Sequence, residues 1–186
     1  TLSSHEPWTV PYSRIEDDKV ANSFAFTDEQ LGIFIDRLKK SSKWENTLVI
    51  CIPDHSVVGY PKGIKQTDRE RNHIPLLFLG GAVKRAKRIE QLCNQTDLAA
   101  TLLAQLGLPA DKFTFSRNVL GAGYNYPFAY HSYNNGISLM DSTGFTVFDL
   151  DSHNTIFSEP QEGGENRLET AKAILQETYK DFSSKE

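Results

Sequence analysis

The sequence predicts an α/β fold, a mostly parallel sheet with helices, followed by a small antiparallel carboxyl-terminal subdomain. Three observations predict it. Two short apolar runs, residues 48–52 and 74–79, alternate with stretches of helical period. The first run is followed at once by Asp54-His55, where open α/β sheets place their ligands. After Pro109 the texture changes to short segments separated by Asn134-Asn135-Gly136 and Ser142-Thr143-Gly144, which is hairpin chemistry.

Residues 1–17 have no period, and the first eight read as the end of a strand running into a loop. A helix is predicted over 18–40. Val20, Phe24, Leu31, Phe34, Ile35 and Leu38 form its apolar stripe, and Lys39 and Lys40 suit its negative end. The run Leu48-Val49-Ile50-Cys51-Ile52 reads as a strand buried on both faces, stopped by Pro53. Residues 56–72 are a long polar loop. Residues 74–79 are a second strand, stopped by Gly80-Gly81. Thr96 or Asn94 can cap a helix over 97–106, with Leu98, Leu102 and Leu106 on one face and Gly107 at its stop. A meander follows from 128–133, 137–140 and 145–150. Asn166, with Glu169 three residues on, can start a last helix through Lys180, with Leu168, Ala171, Leu175 and Tyr179 buried. The reading divides the chain into 1–110 and 111–186.

Composition narrows the function. Apolar residues make up 39% and charged residues 24%, as in ordinary globular domains. A net charge of -4 with no basic stripe argues against nucleic acid. No apolar run reaches transmembrane length, and no signal peptide is read. Thr1 in place of Met leads us to expect a piece of something longer. Cys51 and Cys93 do not make a disulfide framework.

The chemistry centres on Asp54-His55. A carboxylate beside an imidazole suits a divalent ion such as Zn or Mn. The same pair also fits an Asp that opens a turn beside an exposed His. His5 precedes Glu6-Pro7 and can face the same sheet edge as Asp54. His73, opening the second strand, can be a ligand, an anion contact or a strand-end hydrogen-bonder. His131 reads as packed or surface, and His153 as solvated in a turn. Arg69 and Arg71 can fork onto an anion or line a solvated loop. No GxSxG elbow, P-loop or CxxC pair is present, and no Ser or Thr stands out as a nucleophile.

Four segments in order resemble the carboxyl-terminal part of the sulfatase/alkaline-phosphatase superfamily, nearest its lipoteichoic acid synthase-type branch. They are Thr1-Leu2-Ser3-Ser4-His5-Glu6-Pro7; residues 26–35 leading through Trp44-Glu45-Asn46 to Asp54-His55; His73-Ile74-Pro75-Leu76-Leu77; and Gln95-Thr96-Asp97-Leu98 with Leu106-Gly107-Leu108. The resemblance covers about the first 110 residues.

That resemblance implies an alkaline-phosphatase-like fold, with 1–110 as the end of its catalytic domain. It implies that Asp54 and His55 bind one divalent metal ion (Mn, Mg, Zn or Ca), and that His5 contacts the substrate's phosphate or sulfate; His73 is a weaker candidate for the same rim. The substrate would be a sulfate or phosphate ester, with glycan- and lipid-linked esters among the candidates. The nucleophile and first acidic ligand are implied to lie in a missing amino-terminal half. The parent would be an extracytoplasmic, membrane-anchored hydrolase or transferase. The rival reading is a non-catalytic binding or structural module.

Overall fold

The structure is a computed structural model and describes residues 2–185. Thr1, expected to begin a strand end, lies outside the described residues. The neighbouring Leu2–Ser4 form a 3-10 turn, not a strand. The chain divides into two compact units, residues 1–53 with 75–87, and residues 54–74 with 88–186.

The first unit holds α1 (Lys19–Lys39), β1 (Val49–Cys51) and β2 (Leu77–Leu79). Asp18 caps α1, its carboxylate accepting from the Ala21 amide at 2.8 Å. Arg37 and Lys39 lie in the last turn, against its negative pole. The expected apolar stripe is only partly buried. Ile35 is buried, whereas Phe24 and Phe34 are exposed at 36% and 53%. Asn22 and Ser23 are buried instead, because their side chains bond the chain ahead of the helix: Asn22 Nδ2 donates to Ile15 O at 2.6 Å, and Ser23 Oγ to Ser3 O.

β1 and β2 pair antiparallel, with Ile50 opposite Phe78. The expectation of a mostly parallel sheet is corrected here: both sheets among the described residues are antiparallel. A parallel pair needs a crossover, usually a helix. The connection from β1 to β2 holds only a 3-10 turn, Arg69–Asn72. Gly80 ends β2 at a φ of 123°, and a Cβ there would lie 2.1 Å from Thr47 O, so only glycine lets the two ends close. The run 48–52, expected to be buried on both faces, is half-buried throughout.

In the second unit α2 (Asp97–Gln105) ends at Gly107, φ 67°, as expected. Thr96 occupies its cap position without a side-chain cap bond. Asp97 turns back instead and accepts from the Asn94 amide at 2.9 Å. The meander is a four-stranded sheet in sequential order: β3 (Phe128–Tyr133), β4 (Gly136–Asp141), β5 (Gly144–Asp149) and β6 (Asn154–Glu159). β6 was not foreseen. The final helix α3 (Gly164–Ser183) packs on β4 and β5. Ile137, Leu139, Phe148 and Ala171 form the core, with Leu168, Ile174 and Leu175 against it. Tyr179, expected in the buried stripe, is 65% exposed, and Arg167 is buried in the first turns of the same helix.

Asp141 closes the β4–β5 turn. Its Oδ1 accepts from Thr143 N at 2.8 Å and Thr143 Oγ1 at 2.6 Å, and its Oδ2 from Tyr126 Oη at 2.9 Å. Burial alone would raise this carboxyl's pKa, but these hydrogen bonds and the nearby Arg167 charge together hold it below the ordinary 3.8. A lowered folded-state pKa contributes stability above the unfolded value and loses it as pH falls through the folded one. Asp141→Asn is therefore expected to flatten the acid limb of the stability curve below about pH 4, checked by urea midpoints across pH 2.5–6 (about that range). A mutant curve parallel to wild type throughout would show that Asp141 is not the titrating group.

Candidate functional site

Asp54 and His55 follow Cys51, the last residue of β1, after two intervening residues. Both side chains are open to solvent, at 87% and 65%. Asp54 Oδ1 accepts from the His55 amide at 3.0 Å. His55 Nδ1 lies 2.8 Å from Ser56 O. A carbonyl oxygen only accepts, so Nδ1 is the donor here, and in the neutral ring Nε2 is then the nitrogen with the lone pair. Nε2 faces Asp54 Oδ2 at 3.5 Å. A neutral His55 would thus present Nε2 to a metal, with a carboxylate oxygen beside it.

Two neighbours hold this turn. Gln95 Nε2 donates to Asp54 O at 2.8 Å, and Arg71 Nη1 to Ser56 Oγ at 2.7 Å. Arg71 comes from the 3-10 turn whose end is His73. Sequence reasoning left Arg71 between an anion fork and a solvated loop; the structure uses it as a brace. Gln95 was not singled out, because a lone Gln before a helix carries no signal without its partner 41 positions away.

Gln95 stands beside a buried ionic network. Asp97 is 1% exposed and accepts from Arg117 Nε at 3.1 Å, Arg117 Nη2 at 2.8 Å and Arg117 N at 2.9 Å. The Arg117 guanidinium lies over the Phe128 and Tyr124 rings, at 3.8 and 4.8 Å. Burial, with Asp97 adding to it, pushes the Tyr124 phenol up to about 12. The same two causes raise the Cys93 thiol, so it stays protonated at neutral pH and is a poor nucleophile.

His73 is exposed, and its amide donates to Glu70 O at 3.1 Å. His5 belongs to the first unit, is exposed, and has Nδ1 3.0 Å from Glu6 O with its ring stacked near Trp8. Asp54, His55 and His73 belong to the second unit. His131 is half-buried, and burial followed by the Arg71 charge lowers its pKa. His153 is exposed in the β5–β6 turn. No group of three or more His, Cys, Asp or Glu among the described residues could hold a metal ion.

Residues 1–108 match the Sulfatase family. The chain belongs to the sulfatase family. Among solved structures it is similar to a protein in the alkaline phosphatase superfamily from Vibrio parahaemolyticus, with 23% identity and a TM-score of 0.73. That match covers 96% of this chain but 47% of the other, so this sulfatase-family chain spans about half the length of the protein it resembles. The fold is therefore that of the alkaline phosphatase superfamily. The expected α/β class holds, although the described strands pair antiparallel. No helix among the described residues is long and apolar enough to cross a membrane.

Proposed function

We propose that this chain supplies one part of a divalent-metal site in a sulfatase-family hydrolase or transferase acting on sulfate or phosphate esters. One observation carries the reading: His55 Nδ1 is tied to Ser56 O, which turns Nε2 toward Asp54 Oδ2, 3.5 Å away. One carboxylate and one imidazole fit a divalent ion in kind, while two ligands fall short of the three or four that such sites use. Asp54 and His55 would hold the ion, and a bound ion acts as a Lewis acid toward the ester's oxygens. Gln95 and Arg71 are positioning residues that fix the turn carrying both ligands. His5 and His73 are assigned to the ester's anionic group on the family resemblance. The nucleophile and the remaining ligands belong to a further segment of the parent. The lipoteichoic acid synthase-type branch, a membrane-anchored parent and a glycan- or lipid-linked ester extend this reading by resemblance. So does a division into a catalytic portion, 1–110, and a subdomain, 111–186.

Calorimetric titration of the 186-residue chain with Zn or Mn tests the assignment. Weak binding is expected, with a Kd above about 10 µM, because the ligand set is short. Gln95→Ala is expected to weaken it roughly tenfold further, the usual cost of losing a residue that orients ligands. Tight binding that survives Asp54→Ala would move the metal site elsewhere in the chain.

A further inference from the structure

Residues 117–128 run from the far side of α2 into the first residue of β3 and line a cavity of about 500 Å³, all within the second unit. That size lies inside the roughly 300–1,000 Å³ of small-molecule sites. The loop is held rigidly. Arg117 donates to the buried Asp97 carboxylate through Nε and Nη2, and to Tyr126 O through Nη1 at 3.0 Å. Tyr124 Oη donates to Leu92 O at 2.5 Å, and Tyr126 Oη to Asp141 Oδ2 at 2.9 Å. Both tyrosines are thus pinned at their hydroxyl ends, and with Phe128 they give the cavity an aromatic wall.

Asn118 and Asn125 give it a polar one. Asn118 Oδ1 accepts from Leu120 N at 3.1 Å. Among the described residues its Nδ2 meets no acceptor, and the exposed Asn125 amide has no partner. The single charge in the lining is that of Arg117, and Asp97 neutralises it.

We propose that this cavity binds a neutral sugar segment of roughly one or two pyranose rings. A pyranose has a flat face of C–H groups, which packs against an aromatic wall, and hydroxyls around its rim. Each hydroxyl both donates and accepts. Asn125 offers a donor and an acceptor side by side to meet it, and Asn118 adds a donor. A phosphate, sulfate or carboxylate would instead need a cation that is not already paired, and the lining holds none. No residue of the lining takes part in the proposed metal site, so the two readings stand or fall separately.

NMR titration of the 186-residue chain with cellobiose, maltose and N,N′-diacetylchitobiose tests the assignment. At least one of these neutral disaccharides is expected to saturate with a Kd of about 0.3–10 mM, shifting the side-chain amides of Asn118 and Asn125. Gly123 supplies a variant that fills the site. It lines the cavity, and a Cβ there meets nothing within 4 Å, so a larger side chain enters free space. Gly123→Leu is expected to weaken binding at least about tenfold. Asn125→Ala removes an amide with no protein partner and should weaken it about three- to tenfold. Asp54→Ala should bind sugar as wild type does. No saturation by any of the three sugars at about 50 mM would overturn the proposal. So would shifts confined to other residues, unchanged affinity in Asn125→Ala or in a folded Gly123→Leu, or tighter binding of glucose 6-sulfate than of glucose. Sugar binding without Zn or Mn binding leaves this site standing and sinks the metal reading; metal binding without sugar binding does the reverse.

Discussion

Asp54→Ala in the full-length protein is expected to lower kcat/KM toward an aryl phosphate or sulfate ester by at least about 1,000-fold, or roughly 4 kcal/mol of transition-state stabilisation. The carboxylate does two things at once. Its Oδ1 accepts from the His55 amide and holds the turn, while Oδ2 faces His55 Nε2. On the proposed reading, removing it takes away a metal ligand and the contact that presents its neighbour. Asp54→Asn keeps the shape and an acceptor but loses the charge, so it should fall between wild type and alanine. Metal content after dialysis should drop in parallel with turnover. The exposed Asp36, paired only with Lys39 on α1, serves as control: Asp36→Ala should leave both unchanged. If Asp54→Ala turns over like wild type, Asp54 holds no metal that the reaction needs.

Arg167→Ala is expected to cost about 3–5 kcal/mol of stability, the largest effect of any single change in the second unit. The side chain is 1% exposed and every donor is used. Nε donates to Thr146 Oγ1 at 2.8 Å; Nη1 to Thr143 Oγ1 at 2.8 Å and Glu162 O at 3.4 Å; Nη2 to Ser158 Oγ at 3.2 Å and Pro160 O at 2.5 Å. These acceptors come from β5, β6 and the turns around them, so one guanidinium ties α3 to the sheet. Alanine leaves the acceptors without donors and opens a cavity. Arg167→Lys keeps the charge with three donors and no fork, and should cost less, about 1–3 kcal/mol. Lys180→Ala removes an exposed pair with Glu177 and should move the urea midpoint hardly at all. An Arg167→Ala midpoint matching Lys180→Ala would show that the network adds nothing to stability.

The meander shows how much was legible and why. Asn135-Gly136 and Thr143-Gly144 sit at the two tight turns, and glycine is required at the second: a Cβ on Gly144 would lie 2.3 Å from Glu159 O. Turn residues of this kind act locally, so β3, β4 and β5 could be read directly. β6 was missed because Asn154–Glu159 is mostly exposed and carries no alternation to mark it. The buried Arg167 was unreadable for the opposite reason. Its pattern on α3 is that of an exposed charge, and only the arrival of Thr143, Thr146 and Ser158 makes burial affordable. Asp97 is similar: it reads as a first-turn acid on α2, and the fold turns it into the acceptor for Arg117.

By itself the sequence determined the helices, the organising strand with Asp54-His55 just past it, and the superfamily, because these depend on local propensity, periodicity and short motifs. Tertiary structure alone decided the strand direction and the braces from Gln95 and Arg71. Each of these depends on a hydrogen-bond partner or connection brought in from elsewhere. Ser56 Oγ and Asp54 O have acceptor capacity in any conformation; the fold decides which side chain meets them.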